Sequence, residues 1–204
     1  MSTKFCNGQV KDLNQASKII RKARNSDCFF LLRNLGNVED WKLEVSTDAS
    51  LSNLNDGINS TGAQVILLVN KIGHCAPILW QANKIKRIVD SSLAAECLSL
   101  LDGLNEAIYV RELIEEIYGL SPRTVPVHGI VDNKGVVDAI HSTAPVVGRK
   151  LRRDIGAIKQ LLNQREVTGI SWCAGKEQLA DCMSKRGAAA WTLMEVFQNG
   201  IRKK

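Results

Sequence analysis

Apolar positions recur along the chain with two different periods, and the switch between them marks out the elements. Val10, Leu13, Ala16, Ile19, Ile20 and Ala23 fall three and four residues apart with Lys and Arg between them, which predicts a basic amphipathic helix over residues 11–24. Cys28-Phe29-Phe30-Leu31-Leu32 is a continuous apolar run of strand length, closed by Gly36-Asn37. Residues 1–38 therefore read as an accessory helix and strand. From Trp41 the pattern alternates, with Leu43, Val45 and Thr47 on one side and Glu44, Ser46 and Asp48 on the other, the signature of a strand. Residues 53–62 form a turn, and 63–69 and 76–80 read as two further strands of an antiparallel meander.

Ser91 and Ser92 are N-cap candidates for a long helix over 93–118. Ala94, Cys97, Leu98, Leu101, Leu104 and Ile108 form its apolar face, and Gly119 stops it. A fourth strand over 125–131 leads at once into a short helix from Asn133 to Ile140. A helix over 149–164, a strand over 167–172 and a helix opening near Lys176 and running past Met183 complete the order, followed by an amphipathic tail over 188–200. The succession predicts an α/β domain with a mixed five-stranded sheet, three antiparallel strands then parallel ones, and flanking helices.

At 204 residues, 45% hydrophobic and 24% charged, the chain suits one globular domain with a short extra segment. Its longest apolar run, 65–69, is far short of the roughly 18 residues that span a bilayer. With no apolar leader at the N-terminus, a cytoplasmic or nuclear location is expected, with no membrane partner. The 6 cysteines are scattered without a Cys-x-x-Cys pair, so they read as free thiols rather than as disulfides or a zinc site.

Lys and Arg number 27 against 21 Asp and Glu, a net charge of +6. Lys84, Lys86 and Arg87 form one basic cluster, and Arg149, Lys150, Arg152 and Arg153 another. Each alone is an ordinary solvated helix or strand end; two flanking an acidic site point to phosphate contacts. Four carboxylates supply such a site. Asp48 ends the first strand, where a turn-capping role is the plainer explanation. Glu96, assigned to the first turn of the long helix, shares a face with Leu100, Leu104 and Ala107, and an inward carboxylate needs a partner. Asp132 follows an apolar strand at the crevice position of an open sheet, where it competes with Asn133 as helix N-cap. Asp181 opens the last helix. Convergence of all four on one sheet edge would suit two Mg²⁺ ions, with Mn²⁺ as a substitute, poised on a phosphodiester.

Four segments carry a family likeness: Ser46-Thr47-Asp48-Ala49-Ser50, Ser91-Ser92-Leu93-Ala94-Ala95-Glu96, Val131-Asp132-Asn133 and Gln178-Leu179-Ala180-Asp181-Cys182-Met183-Ser184-Lys185. Over residues 41–187 the sequence resembles the ribonuclease H domain of Ty1/copia-type retrotransposon Pol polyproteins. The resemblance implies a ribonuclease H-like fold and hydrolysis of the RNA strand of RNA/DNA hybrids during retrotransposon reverse transcription. It makes Asp48, Glu96, Asp132 and Asp181 the catalytic, metal-binding set, with Asp48 and Asp181 sharing one ion and Asp48, Glu96 and Asp132 the other. Groups near Ser50, Asn53 and Asn133 would read RNA 2′-hydroxyls, and Lys84, Lys86, Arg87, Arg149 and Arg152 would meet phosphates.

The same likeness assigns residues 1–38 to the end of an upstream reverse transcriptase region, 39–187 to the nuclease and 188–204 to a C-terminal tail. No Tyr-x-Asp-Asp polymerase signature occurs. The sequence departs from cellular ribonucleases H in having no histidine over 172–180, which leaves Lys176 and Glu177 as candidates for its work. A catalytically inactive, transposon-derived nucleic-acid-binding or interaction module is the alternative. An integrase core would order its acids Asp, Asp, Glu, whereas here Glu96 comes second.

Overall fold

The computed structural model describes residues 8–26, 29–54, 59–144, 146, 148–185 and 187–202. It divides into two units, Met1–Phe30 and Leu31–Lys204. In the first, helix α1 (Val10–Arg24) forms as its periodicity predicts, and the Gln9 amide donates to Asp12 Oδ2 at 3.0 Å to close the helix start. Its apolar residues Val10, Leu13, Ile19 and Ile20 are exposed.

The second unit contains β1 (Lys42–Ser50), β2 (Thr61–Val69), β3 (Cys75–Lys84), α2 (Ser92–Tyr118), β4 (Val127–Val131), α3 (Lys134–His141), α4 (Arg149–Asn163), β5 (Gly169–Trp172), α5 (Asp181–Ser184) and α6 (Trp191–Asn199). The strands lie in the order β3-β2-β1-β4-β5. β1 pairs antiparallel with β2, and β2 with β3, while β4 runs parallel to β1 and β5 parallel to β4. This is the mixed five-stranded sheet with flanking helices that the element order predicts.

Strand alternation sends side chains to two cores. Leu43, Val45, Ile66 and Leu68 pack with Leu100, Leu104 and Ala107 of α2 and Ile155 and Ile158 of α4. On the other face Ala63, Val65, Leu67 and Val69 meet Leu179, Leu193, Val196 and Phe197. β2 is buried on both faces, which is why it reads as an unbroken apolar run rather than an alternation. The tail over 188–200 contains helix α6, whose Leu193, Val196 and Phe197 belong to this second core.

Gly103 sets how closely α2 approaches the sheet. A Cβ there would lie 2.6 Å from Thr47 Cγ2 and 3.1 Å from Val45 Cγ1, so only a residue without a side chain lets the helix settle on β1. One residue type in α2 thereby fixes the depth at which Glu96 meets the strand ends.

Two expectations are corrected. Residues 29–37 form no strand, and the Leu31 amide donates to Phe197 O at 2.9 Å. Phe29, Phe30 and Leu32 are exposed, so the apolar run does not gain the burial that a core strand of this composition would have; Cys28 lies outside the described residues. The expected helix from Lys176 past Met183 is a 3₁₀ turn over Gly175–Glu177 and the four-residue α5. Between them Gln178 is extended, and its Nε2 donates to Thr47 O at 3.0 Å while its Oε1 accepts from the Ala180 amide at 3.3 Å. Side-chain bonds to backbone, one local and one across to β1, replace the helical ladder there.

Candidate metal centre

The site is assembled from the ends of three elements. Asp48 sits near the C-terminal end of β1 and is 1% exposed. Ser99 Oγ lies 2.9 Å from Asp48 O and 3.2 Å from Ala63 O, pinning α2 across β1 and β2. Glu96 lies three residues earlier on the same helix face and so arrives at the strand end. Ser91 caps α2 by accepting from the Ala94 amide at 3.2 Å, which places Glu96 in the second turn rather than the first. Favourable interaction with the helix dipole is therefore a weak explanation for this glutamate, since that effect fades beyond the first turn.

Asp132 directly follows β4. Its competitor Asn133 takes the helix cap, accepting from the Gly135 amide at 2.9 Å through Oδ1. The other half of the same amide donates to Glu96 Oε1 at 3.2 Å. Trp172 Nε1 donates to Asp132 O at 2.8 Å, so the end of β5 holds the Asp132 backbone in place. One carboxylate oxygen from each of Asp48, Glu96 and Asp132 lies within 4.8 Å of the others.

Asp181, the first residue of α5, stands outside that triplet but is linked to it. Its carboxylate pairs with the Lys185 ammonium one turn on, and Lys185 Nζ is also 3.5 Å from Asp48 Oδ2. Ser184 Oγ donates to the Asp48 carboxylate. Ser184, Lys185 and Ser99 were not singled out from sequence, although the Asp181–Lys185 spacing of four residues is the spacing at which helical ion pairs form.

Burial dominates the electrostatics. It pushes the Glu96 carboxyl up to about 7, aided by Asp132 and Asp48 and opposed by the Asn133 bond and by Lys185. It also raises the Asp48 carboxyl, against the Ser184 hydrogen bond and Lys185, with Asp132 and Asp181 adding to the rise. Glu96 Oε2 is buried without a hydrogen-bond partner. A group of mutually repelling carboxylates with one orphaned oxygen fits a hard divalent cation such as Mg²⁺ or Mn²⁺, which takes oxygen ligands.

The other expected contact residues divide. Asn53 Nδ2 donates to Ser184 O at 2.8 Å and its Oδ1 accepts from Thr61 Oγ1 at 2.9 Å, so its side chain ties the β1–β2 loop to α5. Ser50 ends β1 and is half-buried. Lys84, Lys86 and Arg87 line a groove of about 710 Å³ beside Gln64, Asp102 and Glu106. Arg87 there is ion-paired with buried Asp154 of α4. Arg149 is exposed at the start of α4, and Arg152 Nε donates to Val146 O at 3.1 Å. Lys176 and Glu177 line a separate cavity with Glu44 and Arg202 that none of the four carboxylates borders. Gly175 is the part of that loop near the site, its Cβ position 3.6 Å from Asp132 Oδ2. The described cysteines Cys75, Cys97, Cys173 and Cys182 are free thiols. Among the described residues no helix is long and apolar enough to cross a membrane.

No family model matches the chain, and no curated protein matches it. Among solved structures it is similar to the N-terminal RNase H domain of rv2228c from Mycobacterium tuberculosis, at 16% identity over 70% of this chain and 90% of that one, TM-score 0.49. It is similar to RNase H1 from the halophilic archaeon Halobacterium salinarum NRC-1, at 14% identity over 70% and 93%, TM-score 0.47. The PFV RNase H domain aligns at 12% identity over 78% and 91%, TM-score 0.44.

Proposed function

We propose that the chain is a metal-dependent ribonuclease H that cleaves the RNA strand of RNA/DNA hybrids, derived from a Ty1/copia-type Pol polyprotein and serving retrotransposon reverse transcription. The observation that carries this reading is the triplet Asp48, Glu96 and Asp132, with ligand oxygens within 4.8 Å and Glu96 Oε2 buried and unpartnered. The four sequence segments that resemble that family each contribute one carboxylate, and three of those carboxylates are the triplet. Asp48, Glu96 and Asp132 would hold one divalent ion, and Asp48 with Asp181 a second. Bound there, such ions supply Lewis-acid activation of water and charge stabilisation at the leaving 3′-oxygen.

The chain's own residues prepare that chemistry. Asn133 orients Glu96 while capping α3, Ser184 orients Asp48, and burial of the carboxylates keeps bulk water from screening their charge. Substrate contact would be shape-based: backbone groups near Ser50, Asn53 and Asn133 toward 2′-hydroxyls, and Lys84, Lys86, Arg87, Arg149 and Arg152 toward phosphates. In this reading residues 1–38 are the remnant of an upstream reverse transcriptase region, 39–187 the nuclease and 188–204 its C-terminal extension.

The test is Mg²⁺-dependent cleavage of a labelled RNA/DNA hybrid beside duplex RNA, duplex DNA and Asp132→Asn. Cleavage confined to the RNA strand of the hybrid, and lost in the variant, is expected. Salt-sensitive hybrid binding without cleavage would refute the reading in favour of a non-catalytic module.

A further inference from the structure

Lys185 stands where a cation is needed. Its side chain is 43% exposed, yet its ammonium turns inward, pairing with the Asp181 carboxylate and lying 3.5 Å from Asp48 Oδ2. These are the two carboxylates assigned above to a shared ion. Among the described residues no cationic side chain pairs with Glu96 or Asp132, the two ligands that the other position does not share: Glu96 is 9% exposed, and its Oε2 has no partner.

Resting on the two-ion reading above, we propose that Lys185 is a positioning residue that occupies the Asp48–Asp181 half of the centre in the ion-free protein. The divalent ion held by Asp48, Glu96 and Asp132 then binds first, and the Asp48–Asp181 position fills only as Lys185 withdraws. A flexible stem and a compact ammonium suit lysine to this exchange, because three rotatable donors can leave a carboxylate pair without rebuilding the backbone. Strict two-ion loading would thereby be reserved for conditions that draw Lys185 outward, such as a bound phosphodiester that competes for the ammonium.

The experiment titrates the whole chain with Mn²⁺ alone, by calorimetry, in the wild type, Lys185→Met and Lys185→Arg. Lys185→Met keeps the aliphatic stem and removes the charge. The wild type is expected to take up one ion with a much weaker second. In Lys185→Met the second ion should bind roughly tenfold more tightly, the effect of removing one competing charge near the surface, and Lys185→Arg should retain the single-ion behaviour. Two ions of equal affinity in the wild type, or an unchanged second affinity in Lys185→Met, would overturn the inference and leave hybrid cleavage, measured in parallel, to stand. A purely structural role would weaken the first ion in Lys185→Met, which overturns it as well. Failure of every variant to take up Mn²⁺ would overturn the cleavage reading together with it.

Discussion

Glu96 makes the ion-free centre a measurable liability. Its carboxyl is held at about 7 against an ordinary 4.5, and burial is the main cause. Between those two values the folded protein keeps a proton that the unfolded chain has released, so stability must fall as pH rises from about 4.5 to about 7 and level off above. The full difference is worth about 3 kcal/mol. Between pH 5 and pH 8 about 2.5 kcal/mol of it should be expressed. Glu96→Gln removes the ionisation and keeps an acceptor for Asn133 Nδ2. Thermal unfolding in EDTA should therefore show the variant gaining on the wild type as pH rises, by roughly 5–10 °C between pH 5 and 8 for a chain of this size. Mg²⁺ should reverse the order at pH 8, because the wild type gains a ligand that Glu96→Gln holds less well. A melting difference that stays constant from pH 5 to pH 8 would refute the electrostatic account of this residue.

Three further outcomes follow from particular contacts. Asp132→Asn should lower hybrid cleavage by at least about a hundredfold at saturating Mg²⁺, with the unfolding midpoint in EDTA unchanged or raised; turnover within a few fold of wild type would remove Asp132 from the centre. Gly103→Ala places a methyl 2.6 Å from Thr47 Cγ2 and should cost about 1–3 kcal/mol in urea unfolding, so an unchanged midpoint would show that α2 does not need its close seat on β1. Ser99→Ala removes the hydroxyl shared between Asp48 O and Ala63 O and should cost about 1 kcal/mol or more, while also weakening Mn²⁺ uptake; stability loss without any change in uptake would separate the pin from the site.

Much of this was legible in the chain itself. Alternation from Leu43 to Asp48 identified β1 and put Asp48 at its end, and the spacing of Leu100, Leu104 and Ala107 turned Glu96 inward. Both properties are local and periodic. The errors came where a single long-range bond decides the outcome. Residues 176–183 have helical composition, but the Gln178 side chain reaches across to Thr47 O, 131 residues away, and the extended Gln178 splits the segment into a 3₁₀ turn and the short α5. Residues 29–32 are apolar enough for a strand, but strand identity depends on a neighbour that periodicity does not reveal. Asp132 is legible from sequence as a ligand with its capping role open, since either Asp132 or Asn133 can cap α3, and the observed Gly135 bond gives that role to Asn133. Ser184 was not legible as a site residue because its partner Asp48 is 136 residues away, whereas Lys185 stands at ion-pair spacing from Asp181 and only its approach to Asp48 is long-range.

That remoteness has a consequence for how the protein comes into being. The Ser184–Asp48 contact closes a separation of 136 residues, and Ser99, Asn133 and Asn53 each join parts of the centre supplied by different stretches of chain. Contacts of such high sequence separation carry a loop-closure cost that slows folding. A chain still emerging from the ribosome, or one truncated ahead of α5, lacks Asp181, Ser184 and Lys185 and so has no finished carboxylate centre. The carboxylate centre is thus complete only once the C-terminal segment has joined the first strand, so the site reports on the assembly of the whole sheet unit.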